Sequence, residues 1–301
     1  MIAKLYVMCG LQCSGKSTKA RELAEQFHGV LLSSDELRKE FPDANNETIF
    51  KVLYNRMNLS LQQGRFVIVD ATNTTVKMRK QIFSNLKVEC EKTCYIMNTP
   101  YEECLSRLEV RNTLPEEHFV PLDVLKKYYY SFEVPFYEEG WDNIILDRHI
   151  NLYLSERFLL QIRMLSSTFD QQNMHHTQNL GDHMSTVSQL LEDYPTLSFA
   201  GQYHDLGKLF TQVFKSGDPN AHYYKHANVG AYIAMCNYTI YVDNTDTPDD
   251  KATLDWLFYI NYHMHLFNCT TDKSIKKWKG IFGETRYKNL EVFNEADKKR
   301  I

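Results

Sequence analysis

With 301 residues and 43% hydrophobic side chains, the chain is long enough for two domains of ordinary size, each with its own core. A net charge of −4, with no basic excess in either half, argues against tight electrostatic binding to long nucleic acid. It leaves open a strand end, where few phosphates are touched. Seven scattered cysteines without a paired C-x-x-C array predict a reducing, cytoplasmic setting. No apolar run reaches membrane-spanning length, and Met1-Ile2-Ala3-Lys4 leads into a strand rather than a signal peptide.

The first element, residues 3–9, has the composition of a buried strand. It runs into Gly10-Leu11-Gln12-Cys13-Ser14-Gly15-Lys16-Ser17, which fits the phosphate-binding pattern G-x-x-x-x-G-K-[ST]. Residues 17–27 then read as a helix, so the motif has the strand–loop–helix context it needs. The glycines let the backbone turn tightly, so that N–H groups point at phosphate oxygens. Gly10, Cys13, Ser14, Gly15, Lys16, Ser17 and Thr18 form the expected ATP cradle. Lys16 would reach the β- and γ-phosphates and the Ser17 hydroxyl would sit on Mg²⁺. Cys13 reads as a small filler residue.

A second strand, Val30–Leu32, precedes Ser33-Ser34-Asp35-Glu36-Leu37-Arg38. A carboxylate at a strand's carboxyl end can accept the proton of an attacking hydroxyl, and Arg38, one turn on, can hold an acceptor phosphate. The same residues also suit a helix N-cap followed by a surface helix. After a helical pattern at 46–63 comes the strand Phe66-Val67-Ile68-Val69-Asp70. Asp70 can support the Ser17–Mg²⁺ unit as a Walker-B-type carboxylate, or cap the 75–85 helix, or both. Thr72 and Asn73 can hydrogen-bond a substrate. Lys77, Arg79 and Lys80 read as a solvated helix face. Further strands are expected at 93–97 and 143–146, with helices at 101–109 and 121–131. Arg107 and Arg111, four apart, share one helical face and can close over a phosphate site as a lid, although surface arginines near a helix end are common. Alternating β and α segments predict a parallel sheet with helices on both faces, with its ligand at the carboxyl ends of the strands.

The P-loop, the Ser-Ser-Asp-x-x-Arg segment, the Val-Asp-Ala-Thr-Asn strand end and the Arg-x-x-x-Arg pair together resemble the polynucleotide 5′-kinase branch of P-loop phosphotransferases. The phage end-healing kinase is the familiar member of that branch. The resemblance covers residues 2–148. It implies transfer of the ATP γ-phosphate to a 5′-hydroxyl, with Asp35 as general base and Arg38 on the acceptor's 3′-phosphate.

Beyond Arg148 the pattern changes to long helices, and nine of the eleven histidines lie there. The elements that stand out are Met174-His175-His176, His183, Tyr203-His204-Asp205-Leu206-Gly207-Lys208, His226 and His263-Met264-His265, with Asp182 and Asp297 as further acids. Imidazoles with a carboxylate suit a divalent first-row metal that activates water. Two adjacent polar residues, His204 and Asp205, in an apolar helical context need a compensating partner, and a metal supplies one. His149 and His222 read as ordinary surface or core histidines. The pattern resembles the HD-domain metal-dependent phosphohydrolases over residues 155–300, particularly the HD domain attached to bacterial CCA-adding enzymes. The resemblance implies one metal on His183, His204, Asp205 and Asp297, a possible second on Asp205, His226 and His263, and Lys208 on phosphate. It leaves His265 as an alternative to His263.

The combined expectation is an α/β P-loop kinase domain over residues 1–150 followed by an all-α HD domain over 151–301. The kinase site would use ATP, or another nucleoside triphosphate, with Mg²⁺. The HD site would use one or two divalent transition-metal ions: Mn²⁺, Ni²⁺, Co²⁺, Fe²⁺ or Zn²⁺. The expected function is healing of RNA or DNA ends by 5′-phosphorylation and removal of 2′,3′-cyclic or 2′/3′-phosphates. A ligase would act downstream and no membrane is involved. The rival readings are a nucleoside or nucleotide kinase fused to an HD nucleotidase, and a kinase regulated by a nucleotide-sensing HD domain.

Overall fold

The computed structural model describes residues 2–115, 119–147, 152–173, 178–237 and 250–299, without the side chains of 152–159 and 268. Two compact units are present: Met1–Tyr128 with Glu139–His149, and Tyr129–Glu138 with Ile150–Ile301. His149, His175 and His176 lie outside the described residues. Among the described residues no helix is long and apolar enough to cross a membrane.

In the first unit the strands β1 (Lys4–Cys9), β2 (Val30–Ser33), β3 (Phe66–Asp70), β4 (Glu91–Ile96) and β5 (Asn143–Leu146) form one sheet in the order β2-β3-β1-β4-β5. Every pairing is parallel. The continuous apolar runs are those of a sheet covered on both faces: Leu5, Val7, Met8 and Cys9 in β1, and Val67, Ile68 and Val69 in β3, are all buried. Between the strands lie α1 (Lys16–Gln26), α2 (Ser34–Glu40), α3 (Asn46–Gln62), α4 (Val76–Asn85), α5 (Tyr101–Arg111) and, leading out of the unit, α6 (Leu122–Tyr130). The register pairs Ser33 with Asp70 and Cys9 with Ile96. Parallel pairing therefore gathers the ends of β1, β2, β3 and β4 on one side of the sheet. The chain's strand order reverses around β1, whose carboxyl end carries the glycine loop.

Arg79 departs from the expected solvated face. It is fully buried, its Nε and Nη2 donating to Glu139 Oε2 and Oε1 at 2.7 and 2.6 Å, and its Nη1 donating to the Asn73 carbonyl at 3.0 Å. Burial opposes the guanidinium charge, but Glu139 more than offsets this and raises its pKa. Asn73 is likewise committed to structure. With φ of 47°, it donates from Nδ2 to the Met8 carbonyl at 2.8 Å, tying the end of β3 to β1. Arg79→Ala leaves Glu139 charged, buried and unpaired, so a loss of about 3–5 kcal/mol is expected by denaturant unfolding. Arg79→Met with Glu139→Leu should lose much less; equal losses for the single and double variants would contradict the pairing argument.

The second unit is helical: α7 (Leu152–Thr168), α8 (Leu180–Leu190), α9 (Pro195–Gly201), α10 (Lys208–Thr211), α11 (His226–Cys236), α12 (Asp250–Tyr262), α13 (Asp272–Phe282) and α14 (Glu284–Asp297). A short 3-10 turn, His263–Asn268, follows α12. Among the described residues one feature departs from an all-helical expectation, an antiparallel pair β6 (Gln212–Phe214) and β7 (Ala221–Tyr223). Three residues are too few for a period-2 signal, and the turn between them is made by Gly217 at φ 81° and by Asp218 Oδ1, which accepts from Asn220 N at 2.9 Å. Helix α11 is central, with ten of its eleven residues buried. Residues 129–138 are built into this unit. Val134 N donates to Asn261 Oδ1 at 2.9 Å, the Phe132 carbonyl accepts from Asn228 Nδ2 at 2.8 Å, and the Phe136 ring packs edge-on against Phe258 and Phe282.

Candidate active sites

The glycine loop ends at Gly15, which has φ of 92° and precedes α1 with no side-chain cap. The helices α2, α3 and α4 are capped by Ser33, Asn45 and Thr75. The first turn of α1 therefore presents Lys16, Ser17 and Thr18 N–H groups without a side-chain acceptor, and its dipole favours an anion there. Cys13, at φ 60°, contributes a second left-handed position to the loop, the backbone alternation that turns N–H groups toward one centre. Thr99 Oγ1 donates to the Ser14 carbonyl at 2.8 Å and pins the loop from the end of β4; no local sequence signal marks that contact.

Lys16 is buried, its Nζ donating to the Leu11 carbonyl and lying 3.4 Å from Ser14 Oγ. Burial lowers its pKa, and Asp70 opposes that shift. Ser17 Oγ donates to Asp70 Oδ2 at 2.7 Å, so the loop hydroxyl and the β3 carboxylate form one unit. Such a hydroxyl–carboxylate pair beside uncapped helix N–H groups fits a Mg²⁺–nucleotide.

Ser33, not Asp35, caps α2, accepting from Glu36 N at 3.4 Å. The Asp35 side chain is thereby free of capping duty and half exposed. It pairs with Arg38 Nη1 at 2.7 Å, and Arg38 Nη2 donates to Asn46 Oδ1 at 3.2 Å. Arg107, on α5, donates from Nη1 to the Cys13 carbonyl at 3.3 Å and pairs with Glu103. Two clefts meet here. One, of about 910 Å³, runs along the loop past Thr18 to Arg107. The other, of about 1080 Å³, runs along α3 past Lys51, Tyr54 and Lys87 to Tyr128. Both are lined by Cys13, Lys16, Ser17, Asp35, Arg38 and Arg111.

In the second unit, element ends deliver the polar cluster. His183 comes from the first turn of α8, His204-Asp205 from the turn after α9, and His226 begins α11. His263 begins the 3-10 turn, and Asp297 ends α14. Three imidazoles are fixed in the same way: Nδ1 of His204, His226 and His263 lies 2.8, 2.7 and 2.8 Å from the carbonyls of Gly201, Tyr223 and Ile260. A carbonyl can only accept, so each Nδ1 carries a proton and each Nε2 is aimed into the cluster. Nε2 of His226 and His263 then face each other at 3.1 Å, and Nε2 of His183 and His204 at 3.2 Å. Two imidazole nitrogens this close need a proton or a metal cation between them.

Asp205 joins the two pairs. Its Oδ2 lies 3.4 Å from both His183 and His204 Nε2, and its Oδ1 lies 3.1 Å from His226 and 3.5 Å from His263. Asp297 Oδ1 is 3.1 Å from His183 and 3.3 Å from His204. Burial opposes charge on His204, yet Asp205 and Asp297 raise its pKa to about 10. Burial also opposes ionisation of Asp205, but Lys208 and the histidines hold its pKa well below the usual carboxylate range. The donor set calls for positive charge, and its subsets His183–His204–Asp205, His204–His263–Asp297 and Asp205–His226–His263 each bring ligand atoms within 4.8 Å. Nitrogen-rich donors with carboxylates fit a divalent transition metal. Lys208 Nζ is held at 2.6 Å by Asp205 Oδ2 and at 2.8 Å by Gln171 Oε1, a partner the sequence does not flag.

His265 stands outside this set. Its ring packs on Trp278 at 4.0 Å between centroids, and burial lowers its pKa to about 4. Asp182 is occupied in capping α8 with Asn179. Gly207 explains how the His204-Asp205 turn reaches α11: a Cβ there would fall 2.0 Å from the His226 carbonyl oxygen, so only glycine allows this approach.

Residues 5–135 match the family model described as "AAA domain". The chain is 27% identical over 154 residues to an L-seryl-tRNA(Sec) kinase of Methanococcus maripaludis, covering 46% of this chain and 56% of that protein. Among solved structures, a chain of the Pnkp1/Rnl/Hen1 RNA repair complex is similar at 25% identity and a TM-score of 0.39, over 42% of this chain and 43% of that one. A fungal RNA kinase is similar at 15% identity and a TM-score of 0.38, over 56% and 45%. The chain thus spans about half the length of these relatives. The first unit, with its parallel sheet, its glycine loop and its family match, is a P-loop, kinase-like domain.

Proposed function

We infer that the protein heals nucleic-acid ends, phosphorylating a 5′-hydroxyl at the first site and hydrolysing a 2′,3′-cyclic or terminal phosphate at the second. The observation that carries the first half is the meeting of two clefts at Lys16, Ser17, Asp35 and Arg38. A phosphoryl donor and a hydroxyl acceptor would approach that junction from opposite sides. The acceptor-side cleft, at about 1080 Å³ and bordered by Lys51 and Lys87, exceeds what a nucleoside fills and suits a strand with flanking phosphates. The relative's printed name, a kinase of seryl-tRNA, supports phosphoryl transfer to an RNA-borne acceptor.

In this reading Lys16 and the first N–H groups of α1 hold the ATP phosphates, and Ser17 with Asp70 holds Mg²⁺. Asp35 takes the proton of the attacking hydroxyl, Arg38 holds the acceptor's phosphate, and Arg107 with Arg111 stabilises charge on the transferred group. At the second site, His183, His204, Asp205 and Asp297 would hold one ion, and Asp205, His226 and His263 a second. A metal held by these residues would supply an activated water for attack on the phosphate. Lys208 exchanges part of its bond to Asp205 for the substrate phosphate.

The test is ATP-dependent labelling of a 5′-hydroxyl RNA oligomer against adenosine. A far higher kcat/KM for the oligomer is expected, because phosphate contacts remote from the reacting oxygen are used in the transition state. Equal values would favour a small-molecule kinase.

A further inference from the structure

The cavity over the histidine–aspartate cluster has a volume of about 480 Å³, within the roughly 300–1,000 Å³ of small-ligand sites. One wall is the cluster with Lys208. The rest combines amides (Gln171, Asn173 and Gln178) with apolar and aromatic side chains that phosphate does not require. Tyr224, Phe267 and Met264 line it while remaining 51%, 43% and 37% exposed. Tyr224 is already one layer of a stack, parallel to His222 within 5° at 5.5 Å. Lys298 and Lys299 line the same cavity, with Lys298 Nζ 5.7 Å above the Phe267 ring.

We propose that Tyr224 and Phe267 bind the base of a single unpaired nucleotide whose 3′-phosphate reaches the cluster, and that Lys298 and Lys299 hold the next phosphodiester upstream. This rests on the phosphohydrolase reading of the cluster and gives it a substrate preference. An inorganic or sugar phosphate leaves the aromatic side chains in water. A flat base covers them, and base–aromatic stacking is indifferent to base identity. A cavity of this size takes one nucleotide and excludes a duplex end, so the terminal nucleotide enters unpaired. The lysines lie beside the ring wall, where the chain of a longer strand leaves.

The test uses the full chain with three phosphomonoesters: adenosine 3′-monophosphate, an RNA trinucleotide 3′-phosphate and β-glycerophosphate, which has no base. Hydrolysis is measured with Mn²⁺, and binding of adenosine 3′-monophosphate is measured separately by calorimetry without added metal. Tyr224→Ala and Phe267→Ala should raise KM for both nucleotides and weaken binding by about tenfold, with β-glycerophosphate unchanged. Phe267→Leu keeps apolar volume while removing the ring, and should show the same loss if Phe267→Ala fails to fold. The Lys298→Ala, Lys299→Ala double variant should raise KM for the trinucleotide only. Unchanged nucleotide KM in the ring variants, or equal losses on β-glycerophosphate, would overturn the proposal and leave the hydrolase reading intact. If the wild type hydrolyses none of the three, that reading falls. The base pocket then stands only if nucleotide binding is present and weakened in the ring variants; no binding overturns it.

Discussion

Asp35→Ala is expected to lower phosphoryl transfer by about 10²–10⁴-fold, the range for losing a general base, while hydrolysis at the second site stays at its wild-type rate. The carboxylate sits on the second residue of α2, and Ser33 provides the cap, so its removal does not unravel the helix start. What is lost inside the protein is one half-exposed pair with Arg38, and Arg38 keeps its bond to Asn46. Exposed pairs of this kind contribute about 0–1 kcal/mol, so the melting temperature should barely move. Asp35→Asn sharpens the test, because the amide oxygen still accepts from Arg38 but cannot take the hydroxyl's proton. Near-normal kcat in either folded variant would remove Asp35 from the chemistry. Lys16→Ala should be similarly inactive in transfer, through loss of the charge on the ATP phosphates.

The second large effect is expected from Asp205→Ala, which should bring metal content and phosphate hydrolysis to background together while leaving kinase activity. Among the described residues, Asp205 is the one side chain whose two oxygens reach both histidine pairs. Its loss strips each half of the donor set and also releases Lys208 from its 2.6 Å contact. His226→Ala or His263→Ala removes a nitrogen from one half only. Metal analysis therefore separates two arrangements. If each half holds an ion, either histidine variant loses about half the metal and most of the activity. If only the His183–His204–Asp205–Asp297 half does, metal is retained and substrate handling suffers. Full metal occupancy in Asp205→Ala would exclude it as a ligand.

The glycine loop was legible because its chemistry demands contiguous residues: glycine at the turn, then lysine and a hydroxyl at the helix start. The parallel sheet was legible from apolar runs such as that of β3, where Val67, Ile68 and Val69 are buried on both faces. Arg79 was not, because its burial depends on Glu139, sixty residues on, and a lysine-rich neighbourhood reads as solvent-facing. The ion-pairing of Lys208, the pinning of Ser14 by Thr99 and the carbonyls that orient three imidazoles are tertiary contacts with no periodic trace. His263 and His265 look equivalent in sequence. The 3-10 turn after α12 separates them, sending one ring to Asp205 and the other to Trp278.

The path of residues 129–149 has a consequence for inheritance. The chain leaves the first unit after Tyr128, supplies Tyr129–Glu138 to the second, and returns at Glu139 before entering the second for good. A break after residue 128 deprives the first unit of β5 and of the carboxylate that neutralises Arg79. A break after residue 149 deprives the second of Phe132, Val134 and Phe136, which satisfy Asn228 and Asn261 and fill its aromatic centre. No single crossover, in a genome or at the bench, delivers both units whole. Trading either one for a foreign counterpart requires two coordinated exchanges.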